Sequence, residues 1–168
     1  MNSRILKTLE FEQVKQIIIP YLATAQGKEE LAELAPISDS VRIETWLNET
    51  EDGIKVQRLR GGIPVPKIEN IRPHMKRIEI GADLNGVELA QITRVLTTTR
   101  ELHRFIEELE ESEIEFLRLY EWAKQLTHLP ELTRRLKTAI DEDGRVTDEA
   151  SDALRQIRQQ VRRSEQNI

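Results

Sequence analysis

Apolar residues recur at steps of three and four through most of the chain, which is the spacing that places them on one face of an α-helix. Proline, glycine and capping residues separate these runs and mark where each predicted helix begins or ends. The sequence therefore predicts an all-α, multi-helix fold with at most a very small β-hairpin. The predicted helices are a first one that ends near Ile19, then residues 25–34, 41–59, 72–78, 86–109, 112–123 and 130–138, and a last helix over 148–168.

The same spacing predicts which positions are buried and which residues cap the helices. The expected N-caps include Thr24, Asn85 and Ser112. A turn at Asp141–Gly144 is expected to let its two flanks pair as a small hairpin. The predicted buried positions are Leu31 and Leu34, then Ile43, Leu47, Thr50 and Ile54, and in the longest internal helix Leu89, Ile92, Leu96, Thr99, Leu102, Ile106 and Leu109.

The last helix, Asp148–Ile168, places its less polar residues on one seam, because the steps between them alternate four and three. No glycine, proline or capping residue ends it, so we expect it to continue beyond this sequence. Asp148 or Ser151 is the expected N-cap. The predicted organisation is a helical core domain over residues 1–147 and the root of a long projecting helix over 148–168. The seam residues are Ala150, Leu154, Ile157, Val161, Ser164 and Ile168.

Charge is distributed unevenly along the chain. Residues 101–121 carry eight Glu against two Arg, a net charge of −6, whereas residues 151–168 carry four Arg against two acidic residues. Arg155, Arg158 and Arg162 recur at steps of three and four and share one helix face, with Arg163 beside them. This face is a candidate contact for phosphates or for acidic side chains. The alternative, a solvated flank of a coiled coil, has the same spacing and stays open.

Composition limits the classes of function. The chain of 168 residues fits one domain with a conventional core, and its net charge of −5 argues against a free-standing nucleic-acid binder. The absence of cysteine excludes disulfides and thiolate metal sites and fits a reducing cytoplasm. No apolar run approaches the roughly 20 residues that a membrane span requires. The N-terminus lacks the apolar stretch of a signal peptide.

No short motif in the sequence indicates an active site. Gly61-Gly62 is not part of a GxxxxGK[ST] or GxGxxG phosphate loop, and it is typical of a helix C-terminus instead. The spacing around Asp141–Gly144 puts alanine at the first and last ligand positions of a calcium loop. The sequence has no GxSxG or HExxH. We therefore predict no catalytic, cofactor or metal residue; the three histidines, His74, His103 and His128, are far apart in sequence.

Several segments, in this order and spacing, resemble the N-terminal part of the second bacterial MutS subfamily, "MutS-two". The resemblance extends along nearly the whole chain. The matching pieces are Thr8–Phe11, Leu59–Pro64, Ile71–Pro73, Lys76-Arg77, Ile80-Gly81, Leu84, Ile140–Gly144 with Val146, Ala150-Ser151, Leu154 and Ile157-Arg158.

The resemblance implies a helical core domain that sends two long lever helices toward a nucleic-acid clamp. The present residues would be the first part of that core and the root of the outgoing lever. In such a family the parent protein has an ATPase domain that uses ATP and Mg, forms a homodimer, and carries a C-terminal Smr nuclease domain. The parent would act on branched DNA in recombination or repair, or on collided ribosomes. These residues would hold none of those cofactors.

The function that this resemblance implies is mechanical and non-catalytic. The core would couple the ATPase state of the parent to the clamp through the seam residues Leu154, Ile157 and Val161. Its partners would be the remainder of the parent chain and, through it, DNA or the ribosome, with no membrane. Two alternatives stay open: a nucleic-acid-binding module that uses the terminal arginines, and a homodimerisation module that pairs through the seam. The isolated chain is expected to be a monomer or a weak dimer.

Overall fold

A computed structural model describes residues 3–166 of the chain, with side chains placed from Leu6 onward. Within that range the chain is helical apart from its loops and one isolated antiparallel bridge, Ile140–Val146. The all-α prediction is confirmed, and so is the small hairpin. The helices are α1 (Ser3–Thr8), α2 (Phe11–Ile18), a 3₁₀ turn (Ile19–Tyr21), α3 (Ala25–Glu33), α4 (Ser40–Arg60), α5 (Arg72–Glu79), α6 (Gly86–Glu110), α7 (Leu119–Ala123), α8 (Pro130–Ala139) and α9 (Asp152–Gln166).

Side-chain caps fix the starts of α3 and α4. The Thr24 hydroxyl accepts a hydrogen bond from the Gly27 backbone N–H at 3.0 Å. The Asp39 carboxylate accepts from the backbone N–H groups of Val41 and Arg42. Such caps satisfy amide donors that have no partner inside the helix. At the other end of α4, Gly61 has a φ of 77°, a left-handed conformation that glycine adopts without steric cost.

A reciprocal capping box starts α6. Asn85 accepts from the Glu88 backbone N–H at 3.0 Å, and the Glu88 carboxylate accepts from the Asn85 backbone N–H at 2.9 Å. The predicted Asn85 cap is therefore confirmed. The Glu88 carboxylate also pairs with the Arg77 guanidinium of α5, which ties the two helices together.

The described residues form two compact units. The first comprises the residues up to Asn70 together with Thr98–Thr127, and the second comprises Ile71–Thr97 and the residues from His128 onward. Because α6 crosses from one range to the other, it contributes its N-terminal half to the second unit and its C-terminal half to the first. The predicted division at residues 147 and 148 stays a prediction.

The core of the first unit is small. It centres on Val56 of α4 and on Ile106 and Leu109 of α6, of which Val56 and Leu109 are 0% exposed. The rings of Phe116 and Tyr120 meet edge to face, with centroids 5.4 Å apart. Partly buried apolar side chains complete this core: Phe105, Phe116, Leu119, Tyr120 and Ala123.

The predicted buried stripe of α4 is wrong. Ile43, Leu47 and Ile54 are 36%, 63% and 46% exposed, and Thr50 is exposed as well. The face of α4 that is buried carries Asp52 and Val56 instead. Because Asp52 interrupts the apolar pattern of the buried face, the spacing of apolar residues predicted a different face of α4 as the buried one. Leu34, predicted to be buried, lies past the end of α3 and is 37% exposed, whereas Leu31 is buried as predicted.

The stripe predicted for α6 is confirmed in outline. Ile92, Ile106 and Leu109 are buried. The other predicted stripe residues are partly buried: Leu89, Leu96, Thr99 and Leu102.

The helix predicted over 112–123 is mostly absent. The Ser112 hydroxyl donates to the carbonyls of Glu108 and Leu109 at the end of α6, so it does not cap a following helix. Residues 111–118 form a turn and an irregular stretch, and α7 begins only at Leu119.

In the second unit, the turn at Asp141–Gly144 lies against the start of α6. The Asp141 carboxylate accepts from the backbone N–H groups of Asp143 and Arg145 at 3.0 and 2.8 Å, so the turn is closed by its own first residue. A β-carbon at Gly86 would lie 1.9 Å from the Gly144 carbonyl oxygen. The two backbones meet at a distance that only glycine permits.

Candidate functional site: the terminal helix and its root

α9 begins later than predicted. Its first residue is Asp152, and the Ser151 hydroxyl accepts from the Leu154 backbone N–H at 3.2 Å. The expected Ser151 cap is therefore confirmed, and the expected start at Asp148 is wrong. Asp148 lies outside the helix, and its carboxylate accepts from two arginines of α9.

The seam of α9 is uncovered within the described residues. Ile157 is 57% exposed and Val161 is 50% exposed, whereas Leu154, in the first turn, is partly buried. Ser164 is exposed, and Ile168 lies outside the described residues. A row of half-exposed apolar side chains at helical spacing is typical of a helix that packs against another helix.

Asp148 fixes the arginine side of α9 to the segment before it. One carboxylate oxygen accepts from Arg158 at 2.6 Å, and the other accepts from Arg162 at 2.5 Å. Arg158 also donates to the Val146 carbonyl at 2.9 Å. The hydrogen bonds from Arg158 and then Arg162 lower the pKa of Asp148. The first three turns of α9 are thus held to the hairpin by charge-assisted hydrogen bonds.

The four candidate arginines are not equally available. Arg158 and Arg162 share Asp148, and Arg155 lies 3.5 Å from the Asp152 carboxylate. Within residues 3–166, Arg163 has no ion pair that would neutralise it. The structure therefore brings the four arginines to one helix and supplies two carboxylates that offset much of their charge. Their contact with nucleic acid or a partner stays a prediction.

Sequence reasoning missed a groove in the first unit, next to α4 and α7. It has a volume of about 350 Å³. Trp122 of α7 is 52% exposed, and its indole N–H donates to the Glu49 carboxylate at 3.2 Å. The one sequence signal that could have indicated it is Gly53, a glycine inside a long helix. The groove is lined by Glu49, Asp52, Gly53, Ile63, Arg118, Leu119 and Trp122.

The sequence has no phosphate loop, and residues 3–166 contain no group of three acidic or histidine side chains placed to hold a metal ion. His74 pairs with Gln91 at 2.6 Å, and a ring nitrogen of His103 lies 2.9 Å from the Leu126 carbonyl. None of the helices in the described range has the length and apolarity to cross a bilayer.

No family model matches the chain. It is similar over its whole length, however, to proteins named Endonuclease MutS2. The relative from Enterococcus faecalis is 66% identical over 168 residues, which are all of this chain and 21% of that protein. The relative from Levilactobacillus brevis is 50% identical over 98% of this chain, which is 21% of that protein. The relative from Lactiplantibacillus plantarum is 50% identical over 100% of this chain, which is 22% of that protein.

The chain thus spans about a fifth of the length of the curated relatives it matches. The identity is 50% or more over 165 to 170 residues, so the match extends over essentially the whole chain. The resemblance to the second bacterial MutS subfamily is confirmed: the whole of this chain is homologous to a part of the MutS2 proteins.

Proposed function

We propose that the chain is a non-catalytic helical block of a MutS2 protein that couples the ATPase region of its parent to a nucleic-acid clamp. The observation that carries this proposal is the contrast within α9. Its root is held by Asp148, whereas Ile157 and Val161 of its seam are half exposed. A rod that is fixed at one end and offers an apolar row along its side is suited to transmit motion to a second helix.

The chemistry of the parent would lie outside these residues. ATP and Mg would be held by an ATPase region, as the family resemblance implies. Hydrolysis of nucleic acid would belong to a nuclease domain, which agrees with the name Endonuclease MutS2 of the relatives. The parent would be a cytoplasmic homodimer, and its target would be DNA in recombination or repair, or a collided ribosome. This chain would contribute packing and geometry only.

Proline at Ile157 in the full-length parent tests the proposal. Ile157 lies beyond the first turn of α9, so proline there removes an internal hydrogen bond and clashes with the preceding turn, at a cost of about 3 kcal/mol. We expect ATP turnover to continue while its dependence on bound nucleic acid is lost. Proline at Leu154 is a weaker probe, because Leu154 lies in the first turn and donates only to the Ser151 cap.

Proline at Asp152 is the matched control. It is the first residue of α9, a position whose N–H has no partner inside a helix, and proline is tolerated there. Asp152→Pro should keep the coupling of the unaltered protein. Full coupling in Ile157→Pro would contradict the proposal.

Homodimerisation through the seam is a second candidate, favoured by the exposure of Ile157 and Val161. Light scattering of the 168-residue chain over a concentration series separates the two. A tight dimer that Val161→Asp converts to a monomer would favour pairing of two copies. A monomer at all concentrations would favour pairing with another part of the parent. The nucleic-acid alternative predicts binding by the isolated chain that weakens steeply with salt.

A further inference from the structure

One face of α4 carries an apolar row that is uncovered within the described residues. Ile43, Leu47 and Ile54 share this face, with Thr50 between the last two, and they are 36%, 63% and 46% exposed. The opposite face carries Val56, which is 0% exposed and belongs to the core of the first unit. Since α4 already buries one face in its own unit, the exposed row is free for a second contact.

Charged side chains lie along one edge of this row in a fixed order. Glu44 and Glu51 belong to the first half of α4. Lys55 and Arg58 belong to the second half. At 3.6 residues per turn, all four fall within about 80° of Leu47 around the helix axis and on the same side of it. Glu51 lies 3.5 Å from Lys55, whereas Glu44 and Arg58 are exposed and take part in no ion pair among the residues that the structure describes.

This face is complementary to a second copy of itself that runs in the opposite direction. Leu47 and Ile54 are centred between residues 50 and 51, and Glu44 and Arg58 are centred on residue 51. A two-fold axis at that point therefore places Leu47 opposite Ile54 of the second copy, and Glu44 opposite its Arg58. The same patch serves in both copies, as a two-fold interface requires. A parallel pair would instead place Glu44 against Glu44.

Two groups of like charges oppose this pairing, and both are offset. Glu51 lies near the proposed axis and would face Glu51 of the other copy, but Lys55 of the same helix lies 3.5 Å from its carboxylate. The first unit, residues 1–70 and 98–127, carries 19 acidic and 13 basic residues, a net charge of −6, whereas the remaining residues carry 11 and 12. Because exposed charges are screened beyond about 8 Å at physiological ionic strength, the charges beside the row decide the contact.

We propose that α4 is an interface between two copies of this chain, which pack antiparallel through Ile43, Leu47 and Ile54 and form two Glu44–Arg58 ion pairs. The apolar row supplies most of the attraction, because exposed ion pairs contribute little to affinity. The ion pairs select the antiparallel orientation, because charge complementarity acts mainly on specificity. This interface goes beyond the coupling proposed for α9 and does not depend on it, since it uses a different helix.

Charge reversal in the 168-residue chain tests the antiparallel pairing, with sedimentation equilibrium at low salt as the measurement. Glu44→Arg places two arginines together at each end of the interface, and Arg58→Glu places two glutamates together. We expect each single variant to raise the dissociation constant of the dimer by about tenfold, because the change enters every pair twice. The double variant should regain the dissociation constant of the unaltered chain. Residues 44 and 58 lie roughly 21 Å apart along α4, so they cannot compensate each other within one copy.

Ile54→Asp and Val161→Asp form a matched pair of variants, because each replaces an apolar helical residue that is about half exposed, 46% and 50%. We expect Ile54→Asp to make the chain monomeric over the concentration series and Val161→Asp to leave the dimer intact, with circular dichroism confirming that both stay helical. A chain that is monomeric throughout, a dimer that Ile54→Asp leaves intact, or a double charge reversal that does not restore pairing would overturn the proposal. The dependence of ATP turnover on Ile157 is a separate measurement, so each proposal can fail without the other.

Discussion

At the scale of single residues, Asp52 shows how one buried side chain decides where a helix begins. Asp52 is 2% exposed. Its carboxylate accepts hydrogen bonds from the backbone N–H groups of Leu117, Arg118 and Leu119, at 2.9, 2.6 and 2.9 Å. These amides lead into the first turn of α7, where no internal acceptor exists. A negative charge there is also favourable toward the helix dipole.

Asp52→Asn is therefore expected to destabilise the first unit by about 1.5–3 kcal/mol, since an amide nitrogen would face N–H donors. Both tryptophans, Trp46 and Trp122, belong to the first unit, so a urea titration followed by their fluorescence reports on it selectively. Asp39→Asn is the matched control, because asparagine caps a helix about as well as aspartate. Equal midpoints for the two variants would contradict the assigned role of Asp52.

At the scale of elements, the turn Asp141–Gly144 and the start of α6 can approach closely because both contact positions are glycine. A β-carbon at Gly144 would lie 2.5 Å from the Val87 backbone nitrogen, and one at Gly86 would lie 1.9 Å from the Gly144 carbonyl oxygen. Both contacts are with backbone atoms, which cannot move aside as a flexible side chain can. The junction leads, through Asp148, to the root of α9.

Gly86→Ala should force the turn away from α6 and destabilise this part of the second unit by about 3 kcal/mol. Amide hydrogen exchange of residues 86–97 and 141–147 is the measurement, and protection should fall in both segments together. Gly53→Ala is the control, since its methyl group meets nothing and should stabilise α4 by about 0.5–1 kcal/mol. Unchanged exchange in Gly86→Ala would show that the close approach is not required.

The Asp148 contacts predict a pH dependence for the anchoring of α9. The hydrogen bonds from Arg158 and Arg162 lower the pKa of Asp148 in the folded state, so the unfolded chain binds the proton more tightly. The stabilisation is complete above the unfolded pKa of about 3.9 and is lost as pH falls through the folded pKa. The protection of α9 amides in the unaltered chain and in Asp148→Asn should therefore differ at neutral pH and converge well below pH 4.

The control for this titration is Glu149→Gln, which removes the exposed neighbouring carboxylate. It should keep the pH dependence of the unaltered chain. A difference between the unaltered chain and Asp148→Asn that does not change down to pH 2 would contradict the anchoring role of Asp148.

Local signals predicted most elements, because caps and breakers act within a few residues. Thr24, Asn85, Gly61 and Pro130 mark helix ends where the sequence placed them. The start of α7 was missed, because it depends on Asp52, whose partners lie 65 to 67 positions away. The arginines of α9 were predicted as a shared face, but their pairing with Asp148 depends on how the hairpin folds back. Sequence spacing does not contain that information.

At the scale of the whole molecule, each unit has an exposed apolar surface. The seam of α9 belongs to the second unit and the groove beside Trp122 to the first. The units differ in net charge, −6 against +1, so they suit partners of different chemistry. Homology over the full chain but over only 21% of the relatives fits a part whose function depends on the remainder.

The most direct test of the central claim removes the seam without breaking the helix. In the full-length protein, the double variant Ile157→Ser with Val161→Ser keeps α9 helical and removes its exposed apolar side chains. The control is the double variant Gln159→Ser with Gln166→Ser, which replaces two exposed residues on other faces of the same helix. The measurement is the ratio of ATP turnover with and without bound nucleic acid. We predict that the seam pair brings this ratio to one and that the glutamine pair leaves it unchanged; an unchanged ratio in the seam pair would contradict the account.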